Sequence, residues 1–378
     1  MRRRISLFIY SLSSGGAERV VSMLLRHLKN KYDITLVLMN STIFYEIPKD
    51  VNIFYLEDSD PNESGFKKFI KLPFLAWKYR NFLRKNKIKI SLSFLSRPNY
   101  INAMAKLFGG RAKTIITERA TPSLQYGYGD LLSVVNKLLL RLYNLADMII
   151  SNSKGNAYDL KDIFNIKANI KTIYNFIDSK ALKRECNKSK SSSKGFIFIT
   201  VGRLDKGKNH ILLLKAIEGL NAKLWIIGDG ELKEFLNDQI SKIGLEEKVK
   251  LLGRQKNPFE FLKQADCFVF SSNHEGFPNA ILEALACGLP VISTDCRSGP
   301  REILAPNTDF KMQAKDVELA EYGILVPVNN ADRMQKAMEL IMKNHDIREK
   351  YAQKAKKRAM DFDIEKIMEK WEKVLESA

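Results

Sequence analysis

The feature that most constrains this chain is an alternation that runs along it twice. Short apolar runs of strand length at 5–10, 34–39, 51–56, 88–95, 114–117 and 148–152 are separated by stretches mostly of helix length. Strands alternating with amphipathic helices build βαβ units around a parallel sheet. The stretch RECNKSKSSSKG, 184–195, is polar, serine-rich and without apolar periodicity, and it reads as a linker. A second series follows at 196–201, 223–227, 248–252, 267–270, 291–293 and 324–326, and 331–376 reads as helical throughout. The expected fold class is therefore α/β, with two Rossmann-like doubly wound domains. The expected boundaries are 1–180 for the first domain, 181–195 for the linker, 196–360 for the second domain, and 361–378 for a helix crossing back to the first. Open sheets of this kind bind ligands beyond the carboxyl ends of their strands. Two such sheets facing each other would put the site in the cleft between them.

Composition narrows the class. A chain of 378 residues exceeds one ordinary core, and 45% apolar residues suffice to bury two. The four cysteines, Cys186, Cys267, Cys287 and Cys296, form no C-x-x-C pair and read as reduced thiols. No apolar run reaches the ~20 residues of a membrane span. The start, MRRRISLFIYSLSSGGA, imitates a signal peptide but reads equally as strand, glycine turn and helix. Charge is lopsided: residues 1–187 hold 31 Lys and Arg against 15 Asp and Glu, a net +16 of the chain's +19. A basic field confined to one half implies an anionic partner of that half, such as a membrane or a pyrophosphate.

Three motifs carry chemistry. VGRLDKGKNH, 201–210, has the glycine and lysine spacing of a P-loop, but Asn209 stands where the magnesium-binding Ser or Thr belongs. Arg203 and Lys208 read better as two cations that grip a diphosphate, Arg as a planar fork and Lys as a mobile point charge. In IIGDGELKEF, 226–235, Gly228 and Gly230 suggest a dinucleotide fingerprint, yet Lys233 replaces its third glycine, so the pair reads as a strand-to-helix turn. In NHEGFPNAILEALACGLPVIS, 273–293, Glu275 precedes a glycine-proline turn and Glu283 falls inside the following helix. Pro278 suits a first helical turn, so free N–H groups and the positive dipole end near it favour an anion. A sugar nucleotide has its diphosphate in the middle and hydroxyls on both flanks, which two carboxylates can bind.

Glu275 and Glu283 form the E-x7-E pattern that resembles retaining glycosyltransferases of family four, which have the GT-B architecture. VGRLDKGKN is similar to that family's diphosphate-binding segment, and LSSGGAERVV, 12–21, to its amino-terminal glycine loop. The resemblance implies that Arg203 and Lys208 stabilise the leaving diphosphate, that Glu275 contacts the transferred sugar, and that Glu283 binds the ribose. It makes 1–180 the acceptor-binding domain and 196–360 the nucleotide-sugar-binding domain, and places Gly15 and Gly16 near the donor phosphates or the acceptor. Gly253 and Arg254 fall in the loop that holds the base, and Phe277, Pro278, Asn279 and Ala280 at the helix start contact the donor. It implies transfer with retention from a UDP-sugar, the departing diphosphate taking the acceptor's proton, with no cofactor and no metal. The D-x-D patterns at 58–60 and 361–363 are assigned no catalytic role. Many members carry a histidine after the strand at 114–117; here Glu118 and Arg119 occupy that place and are candidates for positioning acceptor or sugar.

Within the family, FIYSLSSGGAERVV, YEIP, KLPFLAWKY, RPNYI, NSKGN and VGRLDKGKNH resemble enzymes that assemble the lipid-linked oligosaccharide of bacterial protein N-glycosylation. That likeness implies UDP-GalNAc as donor, α1,4 linkage, and an undecaprenyl-diphosphate-linked disaccharide ending in GalNAc as acceptor. Adding several GalNAc residues, or acting in lipopolysaccharide or capsule synthesis, are the alternatives. Residues 65–90 hold nine basic residues and no acidic one, interleaved with Phe66, Phe69, Ile70, Phe74, Trp77 and Phe82. A basic amphipathic helix of this kind suits an anionic membrane surface. Lys67, Lys68, Lys71, Trp77, Lys78, Arg80 and Arg84 are the candidates for lipid or lipid-diphosphate contact. No nucleic-acid module accompanies the charge. The expected location is the cytoplasm, peripherally attached to the inner face of the cell membrane. A basic membrane-binding protein without catalysis is the reading from another class.

Overall fold

A computed structural model of the chain describes residues 2–13, 15–60, 62–125, 131–178 and 195–377. Gly195 aside, the linker expected at 181–195 lies outside the described residues. The chain divides into two compact units, Met1–Tyr174 with Met368–Ala378, and Asn175–Ile367.

The first unit is a seven-stranded sheet of order β3-β2-β1-β4-β5-β6-β7. Its strands are β1 Arg3–Ile9, β2 Tyr32–Leu38, β3 Asn52–Tyr55, β4 Ile90–Phe94, β5 Lys113–Glu118, β6 Met148–Ser151 and β7 Ile170–Thr172. Every pairing is parallel. β4 is buried at all five positions, as a central parallel strand covered on both faces must be. Its serines are satisfied internally: the Tyr79 hydroxyl lies 2.6 Å from Ser91 Oγ, and Ser93 Oγ donates to Asn99 Oδ1 at 2.8 Å.

The second unit has the order β10-β9-β8-β11-β12-β14-β13. Its strands are β8 Phe196–Val201, β9 Ala222–Ile227, β10 Val249–Gly253, β11 Cys267–Phe270, β12 Val291–Thr294, β13 Glu318–Leu319 and β14 Ile324–Val326. All are parallel except β13, which pairs antiparallel with β14. β7 and β13, of three and two residues at sheet edges, are too short to leave a period in the sequence.

The terminal helical stretch is interrupted rather than continuous. Helices Ala331–Lys343, His345–Ala359 and Ile364–Glu376 are separated at Asn344 and by a 3-10 turn ending before Asp363. Asn344 is extended, and its side chain caps the next helix by accepting from Ile347 N. The last helix supplies Met368–Ala378 to the first unit and begins in the second. Cys267 and Cys296 are buried free thiols, but Cys287 is disulfide-bonded, which departs from the expectation of four reduced cysteines. Local spacing tests only for C-x-x-C pairs and is silent on partners distant in sequence. Among the described residues no helix is long and apolar enough to cross a membrane.

Candidate active site

In the second sheet the strand order reverses between β8 and β11, and the loops leaving those two strands meet. β8 runs into the segment Gly202–Asn209, and β11 into the segment Ser271–Pro278. Asn273 N donates to Gly207 O at 2.8 Å, and Ser271 Oγ donates to Lys208 O at 2.7 Å. Lys208 N in turn donates to Asp205 Oδ1 at 3.0 Å. With its N–H and carbonyl both held, Lys208 extends over the Phe270 ring, Nζ 5.4 Å from the centroid, and its ammonium pairs with the Glu275 carboxylate. Both partners are largely enclosed, with side-chain exposures of 25% and 11%. The buried Cys296 thiol is pushed well up by burial and by the adjacent Glu275 carboxylate.

The P-loop-like spacing has a packing origin. A Cβ at Gly207 would meet the His274 ring at 3.0 Å, so the glycine lets the two loops stack. Asn209 is left-handed, at φ 49°, a conformation asparagine tolerates, and its amide donates to Asn273 Oδ1 at 3.1 Å and to Asn329 Oδ1 at 2.9 Å. The pair Gly228 and Gly230 likewise serves packing: a Cβ at Gly228 would lie 1.8 Å from Gly202 O, and one at Gly230 2.5 Å from Leu204 O. The strand-to-helix turn expected there stands, with the loop that carries Arg203 seated directly on it.

The helix after β11 spans Asn279–Ala286, with Pro278 as its extended cap at ψ 107°. Gly299, at φ 91°, lets the neighbouring turn pack against Pro278, since a Cβ there would lie 2.5 Å from Pro278 Cδ. Phe277 is buried, and its carbonyl accepts from Asn175 Nδ2 at 2.8 Å. Glu283 is buried on this helix at 5% exposure. Arg203 is not gathered into the Lys208–Glu275 pair: its side chain is 76% exposed and lies 3.1 Å from Asp205 Oδ2. Gly253 ends β10 at φ 68° and accepts from Gly228 N at 3.0 Å, while Arg254 beyond it is exposed. Asp205, which holds both Lys208 and Arg203, went unread in the sequence. Its place between two cations in RLDKGK was the available signal.

In the first unit Gly15 caps the helix Gly16–Leu28 in an ordinary extended conformation. A Cβ there would crowd only the mobile Glu18 carboxylate. Glu118 ends β5 and is buried, its carboxylate accepting from Arg119 N at 2.9 Å, Ala120 N at 3.1 Å and Tyr143 Oη at 3.0 Å. It holds the turn after the strand, and burial raises its pKa. Arg119 lies over the rings of Phe94, at 5.2 Å, and Trp371, at 5.8 Å. Burial lowers its pKa to about 9, so it keeps its proton at neutral pH.

The basic stretch folds as two helices, Gly65–Ile70 and Leu72–Lys85. Phe66, Phe69, Ile70, Phe74 and Trp77 are exposed, but Phe82 is not. It turns inward and stacks on Phe54 at 4.2 Å, because helical spacing puts it on the face of Leu75 and Tyr79. Of the basic side chains, Lys67 and Arg84 are exposed and Lys68 is half-buried. Lys78 Nζ donates to Leu56 O at 2.5 Å, and Arg80 donates to Asn81 at 2.9 Å. Lys71 pairs with Glu57 and Glu63. The D-x-D segments are otherwise engaged: Asp60 accepts from Asn62 N, Asp361 pairs with Arg358, and Asp363 caps Glu365 N.

Two Rossmann-like domains, with a lysine–glutamate pair at the strand switch of the second, define a GT-B glycosyltransferase, and comparison with known proteins agrees. Residues 14–181 match Glycosyltransferase Family 4 and residues 183–358 match Glycosyl transferases group 1. The chain belongs to glycosyltransferase family 4. It is 42% identical, over 97% of both chains, to the Campylobacter jejuni N-acetylgalactosamine-N,N'-diacetylbacillosaminyl-diphospho-undecaprenol 4-alpha-N-acetylgalactosaminyltransferase. It is 27% identical, over 98% of both, to that organism's GalNAc-alpha-(1->4)-GalNAc-alpha-(1->3)-diNAcBac-PP-undecaprenol alpha-1,4-N-acetyl-D-galactosaminyltransferase. Among solved structures, the sucrose-phosphate synthase of Thermosynechococcus elongatus superposes with a TM-score of 0.82 at 17% identity, covering 100% of this chain and 99% of that one. Anabaena Alr3699/HepE in complex with UDP gives 0.79 at 19%, covering 100% of each.

Proposed function

We propose that this enzyme transfers N-acetylgalactosamine from UDP-GalNAc, in α1,4 linkage and with retention, onto the terminal GalNAc of an undecaprenyl-diphosphate-linked disaccharide. The observation that carries this reading is the 42% identity, spanning 97% of each chain, to the Campylobacter enzyme whose name states 4-alpha transfer of N-acetylgalactosamine to such a diphospho-undecaprenol acceptor. The Lys208–Glu275 pair supplies its chemistry. Donor diphosphate oxygens take over the Lys208 ammonium and draw in the mobile Arg203 fork, so both cations stabilise charge as the sugar–phosphate bond breaks. Glu275, released from Lys208, binds hydroxyls of the transferred sugar, and Glu283 those of the ribose. The departing diphosphate accepts the acceptor's proton. Two side-chain cations do the work that a divalent metal would otherwise do, so transfer is expected to continue in the presence of a chelator.

The protein is incubated with UDP-GalNAc or UDP-GlcNAc and a short polyprenyl-diphosphate disaccharide, and the product is weighed. One added HexNAc from UDP-GalNAc supports the reading. Several additions would shift it to the alternative in which several GalNAc residues are added, and none would refute it. The acceptor's lipid implies a membrane surface. The helix Gly65–Ile70 has no buried residue and presents Phe66 at 72% and Ile70 at 58% exposure, continued by Phe74 at 61% and Trp77 at 50%. Aromatic side chains beside Lys67 and Arg84 suit an anionic leaflet. Flotation with anionic liposomes is expected, and its loss in a Phe66→Ser/Phe74→Ser double variant checks it.

A further inference from the structure

The free enzyme holds both cations of the second edge on carboxylates. Lys208 pairs with Glu275, and Arg203 Nε lies 3.1 Å from Asp205 Oδ2. Among the described residues no other carboxylate pairs with Arg203. The two carboxylates differ in what they can do next. In the proposed reaction Glu275 turns to the hydroxyls of the transferred sugar, whereas the Asp205 carboxylate is tied where it stands. Its Oδ1 accepts from Lys208 N at 3.0 Å, and a Cβ at Gly207 would lie 3.3 Å from that same oxygen, so the loop closes tightly over it.

The backbone fixes Asp205 as firmly as its side chain does. Leu204, between Arg203 and Asp205, is buried; its N–H donates to Asp229 O at 3.0 Å, and its carbonyl accepts from Leu232 N at 3.0 Å. Asp205 N donates to Arg203 O at 2.9 Å. The chain thus presents a stationary, enclosed carboxylate beside a guanidinium that lies mostly in water. Cations at the carboxyl edge of the first sheet are held more fully. There Lys71 and Arg97 each reach both Glu57 and Glu63, and Arg97 also donates to Ser59 Oγ at 2.9 Å. A cation shared by two carboxylates is locked, while one held by a single carboxylate can be exchanged.

A diphosphate that draws in Arg203 must take it from Asp205, and when the diphosphate leaves, the carboxylate is still there to take it back. An ion pair whose cation lies in water adds little to stability, so its strength suits competition rather than support of the fold. We infer that the two oxygens of Asp205 have separate duties: Oδ1 positions the Lys208 loop, and Oδ2 competes with the nucleotide diphosphate for Arg203 and so hastens the departure of UDP after transfer. Asp205 is in this a positioning residue, acting through Arg203 and Lys208 rather than on the sugar or the phosphate. The inference rests on the reading that the diphosphate of a UDP-sugar lies against those two cations.

Asp205→Asn separates the duties, because an amide oxygen can still accept from Lys208 N while the amide nitrogen offers Arg203 neither charge nor acceptor. UDP binding to the full chain is measured by calorimetry and UDP departure by stopped-flow displacement, neither of which needs a sugar or an acceptor. The variant should bind UDP about two- to fivefold more tightly, the range open to a solvent-exposed pair, and release it more slowly by the same factor. The gap should narrow in about 1 M NaCl, where the Debye length is about 3 Å, and vanish in an Arg203→Ala background. Asp205→Ala, which also strips Lys208 N of its acceptor, should bind UDP more weakly than Asp205→Asn. If circular dichroism shows that Asp205→Asn does not fold, Asp205→Ser carries the same test, since its hydroxyl can accept from Lys208 N. UDP bound no more tightly by Asp205→Asn than by wild type overturns the inference and leaves the functional reading standing. Tightening that persists without Arg203 overturns it as well, because the effect is then one of overall charge. Tightening that requires Arg203 upholds it even where no GalNAc is transferred. A wild type that binds no UDP overturns both the inference and the reading of the donor.

Discussion

The two sheets share a strand order around their first strand, yet their carboxyl edges are furnished in opposite ways. At the second edge two loops bring together one enclosed lysine–glutamate pair, with a second pair, Arg203 and Asp205, whose cation is left largely in solvent. At the first edge two cations and two carboxylates are cross-linked into a neutral network. A cation held in solvent by one carboxylate can turn to a diphosphate, whereas cations each shared between two carboxylates must break two pairs to do so. Overall basicity would have suggested the reverse, since the first half of the chain carries most of the net charge. Charge summed over a domain describes its outer field, and the pairing at a site decides what that site binds.

The largest effect that could break this contrast lies in the lysine–glutamate pair. Lys208→Ala removes the enclosed cation, and turnover of UDP-sugar should fall by about 10²–10³, the usual cost of losing one group that stabilises developing charge. Glu275→Ala should also lower transfer strongly while the circular dichroism spectrum stays native. Arg203→Ala should cost less, about tenfold, because that side chain starts in water. Equal losses for Lys208 and Arg203 would mean that enclosure is not what makes the second edge work.

Glycine provides the next contrast. Gly228→Ala drives a Cβ to 1.8 Å from a backbone carbonyl, which cannot yield as a side chain could. A loss of about 3 kcal/mol in unfolding free energy by urea titration is expected, the upper end of overpacking costs. Gly15→Ala, at φ −82°, asks only that the Glu18 carboxylate swing away, and should cost less than about 1 kcal/mol. If the ranking reversed, the roles of the two glycine segments would have to be exchanged.

These residues also mark how far the sequence could be read. Lys208 and Glu275 were legible because each lies in a loop just past an apolar strand, and parallel sheets gather such loops at one edge. Among the described residues twelve of fourteen strands left apolar runs, while β7, which has Lys171 at its centre, and β13, of two residues, did not. Phe82 was misread as part of the basic aromatic face because composition does not tell which side of a helix packs. Gly207 and Gly228 looked like fragments of nucleotide-binding fingerprints, and only the His274 ring against one and the carbonyl against the other reveal why those residues stand there. The network of Glu57, Ser59, Glu63, Lys71 and Arg97 at the first edge was invisible. It is assembled from the ends of several strands, and no local spacing encodes it.

The smallest contrast is one of protons. His210 begins the helix after the Lys208 loop and is 3% exposed, and burial, helped by the Lys208 charge, lowers its pKa to about 4. A free histidine titrates near 6.5, so between those values the unfolded chain takes up a proton that the folded one refuses. The stability of the second unit is therefore whole above pH 6.5 and declines as pH falls toward 4, by about 2 kcal/mol between pH 7 and pH 5. Glu118 in the first unit runs the other way. Its buried carboxyl has a raised pKa, so the folded state binds the proton more tightly, and acidification through that pKa adds stability. Urea unfolding at pH 7 and pH 5 separates the two. His210→Asn should flatten the loss between pH 7 and pH 5, whereas Glu118→Gln should remove the opposing gain over the range in which that carboxyl titrates. An acid profile unchanged by His210→Asn would mean that this imidazole is protonated inside the fold, and the packing of the Lys208 loop against it would need a different account.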